Sequence, residues 1–211
     1  MNGTDTEPPA YWDDACRRLK RADRVLGRLI KAAGASSLRP RRDAFFSLAR
    51  SIVGQQISVL AAESVWRKLG ERLGEVSPDA LAGEDEDSLR ACGLSRPKAR
   101  YLLSLAGHFR AGSLDLAEWP ELDDEDVIER LCRVEGIGRW TAEMFLIFHL
   151  TRPDVLPVAD LGLQRAIGRH YGGGAKPTAA DMRAIAEPWR PWRSVAVWYL
   201  WRSLDAVPVE Y

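Results

Sequence analysis

An all-α fold follows from three features of the sequence. Apolar residues recur every three or four positions along nearly the whole chain, the spacing of a helix face. Proline, serine and glycine punctuate those runs at the places where helices start and stop. No β alternation survives scrutiny, since VLPVAD, Val155 to Asp160, is too short and isolated to seed a sheet.

Each element can be justified in turn. Residues 1–10 are polar and Pro-containing, which predicts a frayed tail. From Trp12, the positions Cys16, Leu19, Leu26, Leu29 and Ile30 trace one face of a single long helix ending near Gly34. Beyond the basic linker SSLRPRRD, a second helix carries Phe45, Leu48, Ala49 and Ile52 into GQQIS, Gly54 to Ser58. Ala62, Val65, Trp66, Leu69 and Leu73 mark a third. Ser77-Pro78 and the acidic run open short helices that stop at Gly93. Ser95 and Pro97 predict the cap and first turn of a helix through Leu102, Leu103, Ala106 and Phe109. After VLPVAD comes a helix with Leu163, Ile167 and His170, closed by Gly172 to Gly174. A helix from about Thr178 to Glu187, the turn PWRPWRS and a last helix with Val197, Leu200, Trp201 and Leu204 finish the chain. YGGGAKPT fails as a phosphate loop, because its Lys follows Ala and precedes Pro and no strand leads in; it predicts a loop after a helix end.

At 211 residues the chain can bury a real core, as one domain or two small ones. It has no long apolar run and no charged-then-apolar leader, so we expect a soluble, cytoplasmic protein with no membrane partner. Cys16, Cys92 and Cys132 are scattered, which argues against a disulfide framework or an iron-sulfur cluster; they predict buried thiols. His108, His149 and His170 form no metal-ligand set. Thirty basic residues balance thirty acidic ones, which argues against a generic basic DNA-coating protein. The charges are uneven all the same, with basic residues crowded between Arg17 and Arg50, and most predict solvated helix surfaces.

LCRVEGIGRWTA, Leu131 to Ala142, is the most informative stretch. Val127, Ile128, Leu131 and Val134 precede it and Trp140, Met144, Ile147 and Phe148 follow it at helical spacing, so two amphipathic helices flank a glycine turn: a helix-hairpin-helix. Gly136 and Gly138 are expected to take positive φ and to present bare N–H groups at the start of the second helix, where an anion such as a nucleic-acid phosphate can bind. The glycine pattern alone fits an ordinary αα-hairpin equally well.

GQQIS, GLSRPKARY, GIGRWTA, VADLGL and RPWRS, in this order and spacing, resemble the helix-hairpin-helix (HhH-GPD) DNA glycosylases, and within them the DNA-3-methyladenine glycosylase II or AlkA type. The likeness covers roughly Phe45 to Leu204. It implies two helical subdomains with an active-site cleft between them: 45–148 as a six-helix unit with the hairpin at about 124–150, and 11–44 plus 149–211 as a second, discontinuous unit. AlkA begins with a β-containing domain, and the residues before Phe45 are too few and too helical to build one, so a compact form is expected.

The resemblance also assigns roles. Asp160 matches the family's catalytic aspartate, and it stands where it would cap the helix beginning at Leu161. A carboxylate there would stabilise the oxocarbenium-like sugar formed when an N-glycosidic bond breaks. No second acid is tied to the site, which suits a base already cationic from alkylation at N3 or N7, because such a base leaves unprotonated. Bifunctional relatives carry a lysine where this chain has Trp140, and tryptophan forms no Schiff base, so a monofunctional enzyme leaving an abasic site is expected. Trp140 and Trp201 would wall the base pocket, with Met144 replacing the family's tyrosine. Gln56 would be the wedge that fills the hole left by the extruded base, with Gln55 and Ser58 near the minor groove. Gly136, Gly138, Arg139 and Thr141 would meet the phosphates, and the main-chain carbonyls of Cys132, Val134 and Ile137 would hold Na+ or K+. No other cofactor is implied.

The expected partner is double-stranded DNA containing alkylated bases, met by a monomer, nucleoid-associated in a bacterial cell. Two other readings stay open from sequence: a glycosylase for deaminated or mismatched bases, which Met144 allows, and a catalytically silent DNA-binding module.

Overall fold

A strand has nothing to build on in this sequence, and helices carry most of the described residues. The computed structural model describes residues 7–40, 43–114 and 118–204; the first six residues of the predicted tail, and Arg41 and Arg42 of the basic linker, lie outside them. Twelve α-helices lie among the described residues, with single 3-10 turns at Trp119–Glu121 and Glu187–Trp189, and no strand. The chain divides into two compact units, residues 7–40 with 146–204 and residues 43–145, the second division falling inside one helix between Phe145 and Leu146.

In the unit made from the middle of the chain, α3 (Ala44–Gly54) packs on α4 (Val59–Leu73) and α7 (Arg96–Arg110), and α7 packs on α5 (Pro78–Leu81) and α6 (Glu86–Ala91). Leu48, Ile52, Leu69, Leu81, Leu89, Leu102 and Leu105 are buried there, an aliphatic core whose removal from water drives the unit's collapse. Ser95 accepts from Lys98 N and Pro97 sits in the first turn, so α7 starts where the sequence predicts. The hairpin helices α8 (Asp124–Cys132) and α9 (Arg139–Phe148) complete this part of the chain. Asp123 caps α8, and three acidic residues in its first turn favour the helix dipole.

The other unit contains α1 (Trp12–Ala22), α2 (Arg24–Ala33), α10 (Leu161–Tyr171), α11 (Ala179–Ala186) and α12 (Arg193–Arg202). The single long helix expected from Trp12 to Gly34 is two helices. Asp23 interrupts it with extended backbone, φ −143° and ψ 118°, and its Oδ1 accepts from Val25 N at 2.7 Å and Leu26 N at 3.0 Å, starting α2 afresh. The break was hidden because Leu19 and Leu26 stand seven residues apart, which keeps the apolar stripe in register across it.

Asp23 Oδ2 also accepts from Tyr171 Oη and Trp189 Nε1, each at 2.9 Å. Replacing Asp23 by Ala removes a cap and strands two donors, one of them on the fully buried Trp189. The expected cost is about 3 kcal/mol by chemical denaturation; a loss below about 1 kcal/mol would show that these bonds do not hold the unit together.

The last helix forms as expected through Val197, Leu200 and Trp201. Ser194, Val195, Ala196, Val197, Tyr199, Leu200 and Trp201 of α12 are all buried, so the helix is apolar nearly all round and packs against α1, α2 and α10. Leu204 lies in the turn beyond it. Of the thiols, Cys16 and Cys92 are buried as expected, but Cys132, the last residue of α8, is exposed. No helix among the described residues is long and apolar enough to cross a membrane.

Candidate functional site

The chemistry predicted for Asp160 rests on a short segment. Val158 N bonds Leu156 O and Asp160 N bonds Pro157 O, turning VLPVAD tightly into α10. Asp160 is the N-cap of that helix, and its Oδ1 accepts from Leu163 N at 2.5 Å and from Trp201 Nε1 at 2.8 Å. It is 5% exposed. The carboxylate is therefore held from two directions at the positive end of an 11-residue helix. Trp201 stacks on Phe148, with ring centroids 5.9 Å apart and planes 15° off parallel, which sets the indole that points its N–H at the acid. A buried carboxylate acts strongly on positive charge developing beside it, since little water screens it.

Gly162, quoted in VADLGL but given no role from sequence, has a steric one. A Cβ there would stand 3.1 Å from Asp160 Oδ1 and 3.3 Å from Trp201 Cδ1, so glycine keeps the space in which acid and indole meet.

In the other unit, the hairpin turn rests on an aromatic ring. Gly136 has φ +86°, and a Cβ on it would fall 2.1 Å from Tyr101 Cγ. Only glycine lets the turn cross that ring. Gly138 departs from expectation: its φ is not positive, and a Cβ there would meet nothing within 4 Å. Its carbonyl accepts from Ala142 N at 3.1 Å, so it begins α9 as an exposed residue with open space beside the backbone.

GQQIS is tied to this turn. Gln55 Nε2 donates to Gly136 O at 2.9 Å and to Thr141 Oγ1 at 3.2 Å. Thr141 is 2% exposed, so its hydroxyl supports the hairpin from within. Gln56 is exposed and left-handed, with φ +58°, and the neighbouring Ile57 is 41% exposed. Ser58 is exposed and caps α4, accepting from Ala61 N.

Lys98 and the acids around Arg139 contact these predicted site residues, and sequence reasoning gave them no role. Lys98 Nζ donates to Val53 O at 2.8 Å and Gln55 O at 2.6 Å, and partial burial pulls its pKa below the usual lysine value. Arg139 is gripped by Glu125 through two bonds of 2.8 and 2.5 Å and touches Glu143 at 3.1 Å. That pairing raises the Arg139 pKa and lowers that of Glu125. The guanidinium thus has carboxylate partners of its own. Trp140 is half-buried in the first turn of α9, and Met144, one turn on, is 1% exposed.

Comparison with known proteins sorts these features. The family described as HhH-GPD superfamily base excision DNA repair protein matches residues 49–191, which hold GQQIS, Lys98, the hairpin and Asp160. The chain belongs to this family. Among HhH-GPD relatives, DNA-3-methyladenine glycosylase 1 of Schizosaccharomyces pombe is 34% identical over 185 residues, 83% of this chain and 80% of its own. YfjP of Bacillus subtilis is 35% identical over 164 residues, 74% of this chain but 57% of its own length, so the chain spans little more than half of that relative. A solved structure of the S. pombe 3-methyladenine DNA glycosylase Mag1 in complex with abasic DNA superposes with a TM-score of 0.80 at 32% identity, covering 92% of this chain and 98% of that one. Trp201, the partner of Asp160, lies beyond the HhH-GPD match.

At the hairpin, Cys132 ends α8 at the negative end of its dipole, and Val134 and Ile137 lie in the turn beyond, where the Val134 carbonyl accepts from Ile137 N at 3.1 Å and keeps a second lone pair. Oxygen donors of this kind fit a hard monovalent cation. Among the described residues, no three His, Cys, Asp or Glu side chains gather as a metal site.

Proposed function

We propose that this chain is a monofunctional DNA N-glycosylase of base excision repair, which flips alkylated purines of the 3-methyladenine and 7-methylguanine type out of duplex DNA and releases them by hydrolysis. One observation carries the reading: in an HhH-GPD chain, a buried carboxylate, Asp160, is fixed by a helix N–H and an indole N–H, and it stands at the position that the resemblance of VADLGL assigns to the family's catalytic aspartate. The relatives named for 3-methyladenine release, and Mag1 seen on abasic DNA, support the substrate class.

A purine alkylated at N3 or N7 carries positive charge. As its C1′–N9 bond breaks, the bonding electrons return to the ring and neutralise it, while positive charge grows on the deoxyribose. The Asp160 carboxylate stabilises that charge and orients the water that adds at C1′. The added water gives its proton to solvent by way of the Asp160 carboxylate, and an abasic sugar with a C1′ hydroxyl remains. The sequence resemblance assigns Trp140, Trp201 and Met144 to the pocket for the electron-poor base and Gln56 to the gap left in the stack. The exposed backbone of Gly138 and the hairpin carbonyls, through Na+ or K+ when bound, place positive potential toward a phosphate. The enzyme acts as a cytoplasmic monomer on double-stranded DNA.

Incubation with methylated DNA, followed by chromatography of the supernatant, tests the assignment. Free 3-methyladenine and 7-methylguanine are expected; release of deaminated bases only would give the second glycosylase reading, and release of no base from any lesion would leave a DNA-binding module. Strand scission before alkali is expected to be absent, because Trp140 has no amine to attack the sugar. Breaks formed without alkali would sink the monofunctional part.

A further inference from the structure

We propose that Lys98 is a positioning residue that sets the Gln56 wedge, a role that rests on the glycosylase reading above. The geometry begins at the end of α3, whose last carbonyls have no partner within the helix and carry its negative pole. Lys98, in the first turn of α7, bridges one of them, Val53 O at 2.8 Å, and the carbonyl of the C-cap residue Gln55 at 2.6 Å. Charge-assisted bonds of this length are the strong kind. Both ends of Gln55 are thereby pinned: its carbonyl by Lys98, and its side-chain amide by Gly136 O and Thr141 Oγ1 of the hairpin.

The next residue is the one that needs such support. Gln56 holds φ +58° without being glycine, a conformation that L side chains adopt at a cost and keep only where neighbours impose it. Ser58, two residues on, is fixed as the cap of α4. Gln56 and Ile57 therefore form a short tip between two anchored posts, with both side chains exposed. A tip already ordered before it meets DNA loses little conformational entropy on insertion, so its rigidity converts directly into occupancy of the gap. The lysine suits the task because a compact ammonium can donate to two converging carbonyls at once.

The test compares the wild-type chain with Lys98→Met, Lys98→Gln and Lys98→Arg on two duplexes, one with the alkylated purine paired to thymine and one with it facing an abasic gap. Single-turnover base release is measured on each, together with the fluorescence of 2-aminopurine placed beside an abasic site, which rises as its stack opens. Loss of the bridge should cost Lys98→Met about tenfold or more in release from the paired duplex. The loss should be several-fold smaller on the gapped duplex, where no partner base draws the lesion back. The 2-aminopurine signal should fall in parallel, and Lys98→Arg should recover most of both. Equal losses on the two duplexes, or no loss on the paired one, would overturn the proposal; should Lys98→Met fail to fold, Lys98→Gln carries the same comparison. If the wild-type chain releases no base at all, the glycosylase reading falls by itself. The 2-aminopurine signal then still decides on Lys98, an undiminished signal in the methionine variant counting against it.

Discussion

Asp160→Asn is expected to lower the single-turnover rate of base release by about 10³ while leaving the fold and DNA affinity nearly intact. Asparagine keeps an oxygen that can accept from Leu163 N and Trp201 Nε1, and it is as good an N-cap as aspartate, so α10 should start as before. Only the negative charge goes. A carboxylate about 4 Å from a developing unit charge contributes about 4 kcal/mol at an effective dielectric near ~20, close to 10³ in rate. Thermal melting and binding to abasic-site DNA separate the two effects. A variant that melts with the wild type and still releases bases at the original rate would remove Asp160 from the mechanism.

Gly136→Ala should do the reverse, damaging structure first. The new methyl would sit inside the Tyr101 ring, 2.1 Å from Cγ, on a backbone at φ +86° that alanine avoids. Either the ring or the turn must move, and the turn carries the carbonyl that holds Gln55. A loss of about 3 kcal/mol or more in the stability of this unit is expected, together with weaker binding to DNA. Gly138→Ala provides the contrast, since its methyl meets open space and its φ is ordinary; melting should barely change. Equal melting of the two variants would show that the ring contact carries no weight. Combining Gly136→Ala with Tyr101→Ala should cost less than the sum of the two, because the second change removes the clash created by the first.

Much of the fold was legible because its signals are local. Helix periodicity, Ser95 before Pro97, Asp160 before LGLQ and the glycine turn after Cys132 each lie within a few residues, and each corresponds to an element or cap in the structure. The failures have the same origin. An apolar stripe runs across Asp23 in register and hides the helix break there, and its two remote partners, Tyr171 and Trp189, stand 148 and 166 residues away. The pattern GIG predicts a left-handed turn at both glycines, and of the two Gly136 alone makes it.

The sequence by itself determined that this chain is helical, where the hairpin lies, and which acid would begin α10, since all three depend on bonds closed within one or two turns of backbone. Only the tertiary structure decided what holds the functional side chains still. The Trp201 indole reaches Asp160 across 41 residues and the Gln55 amide reaches Gly136 across 81. Such pairs leave no periodic trace in a sequence, because the free energy that selects them comes from packing elements distant along the chain.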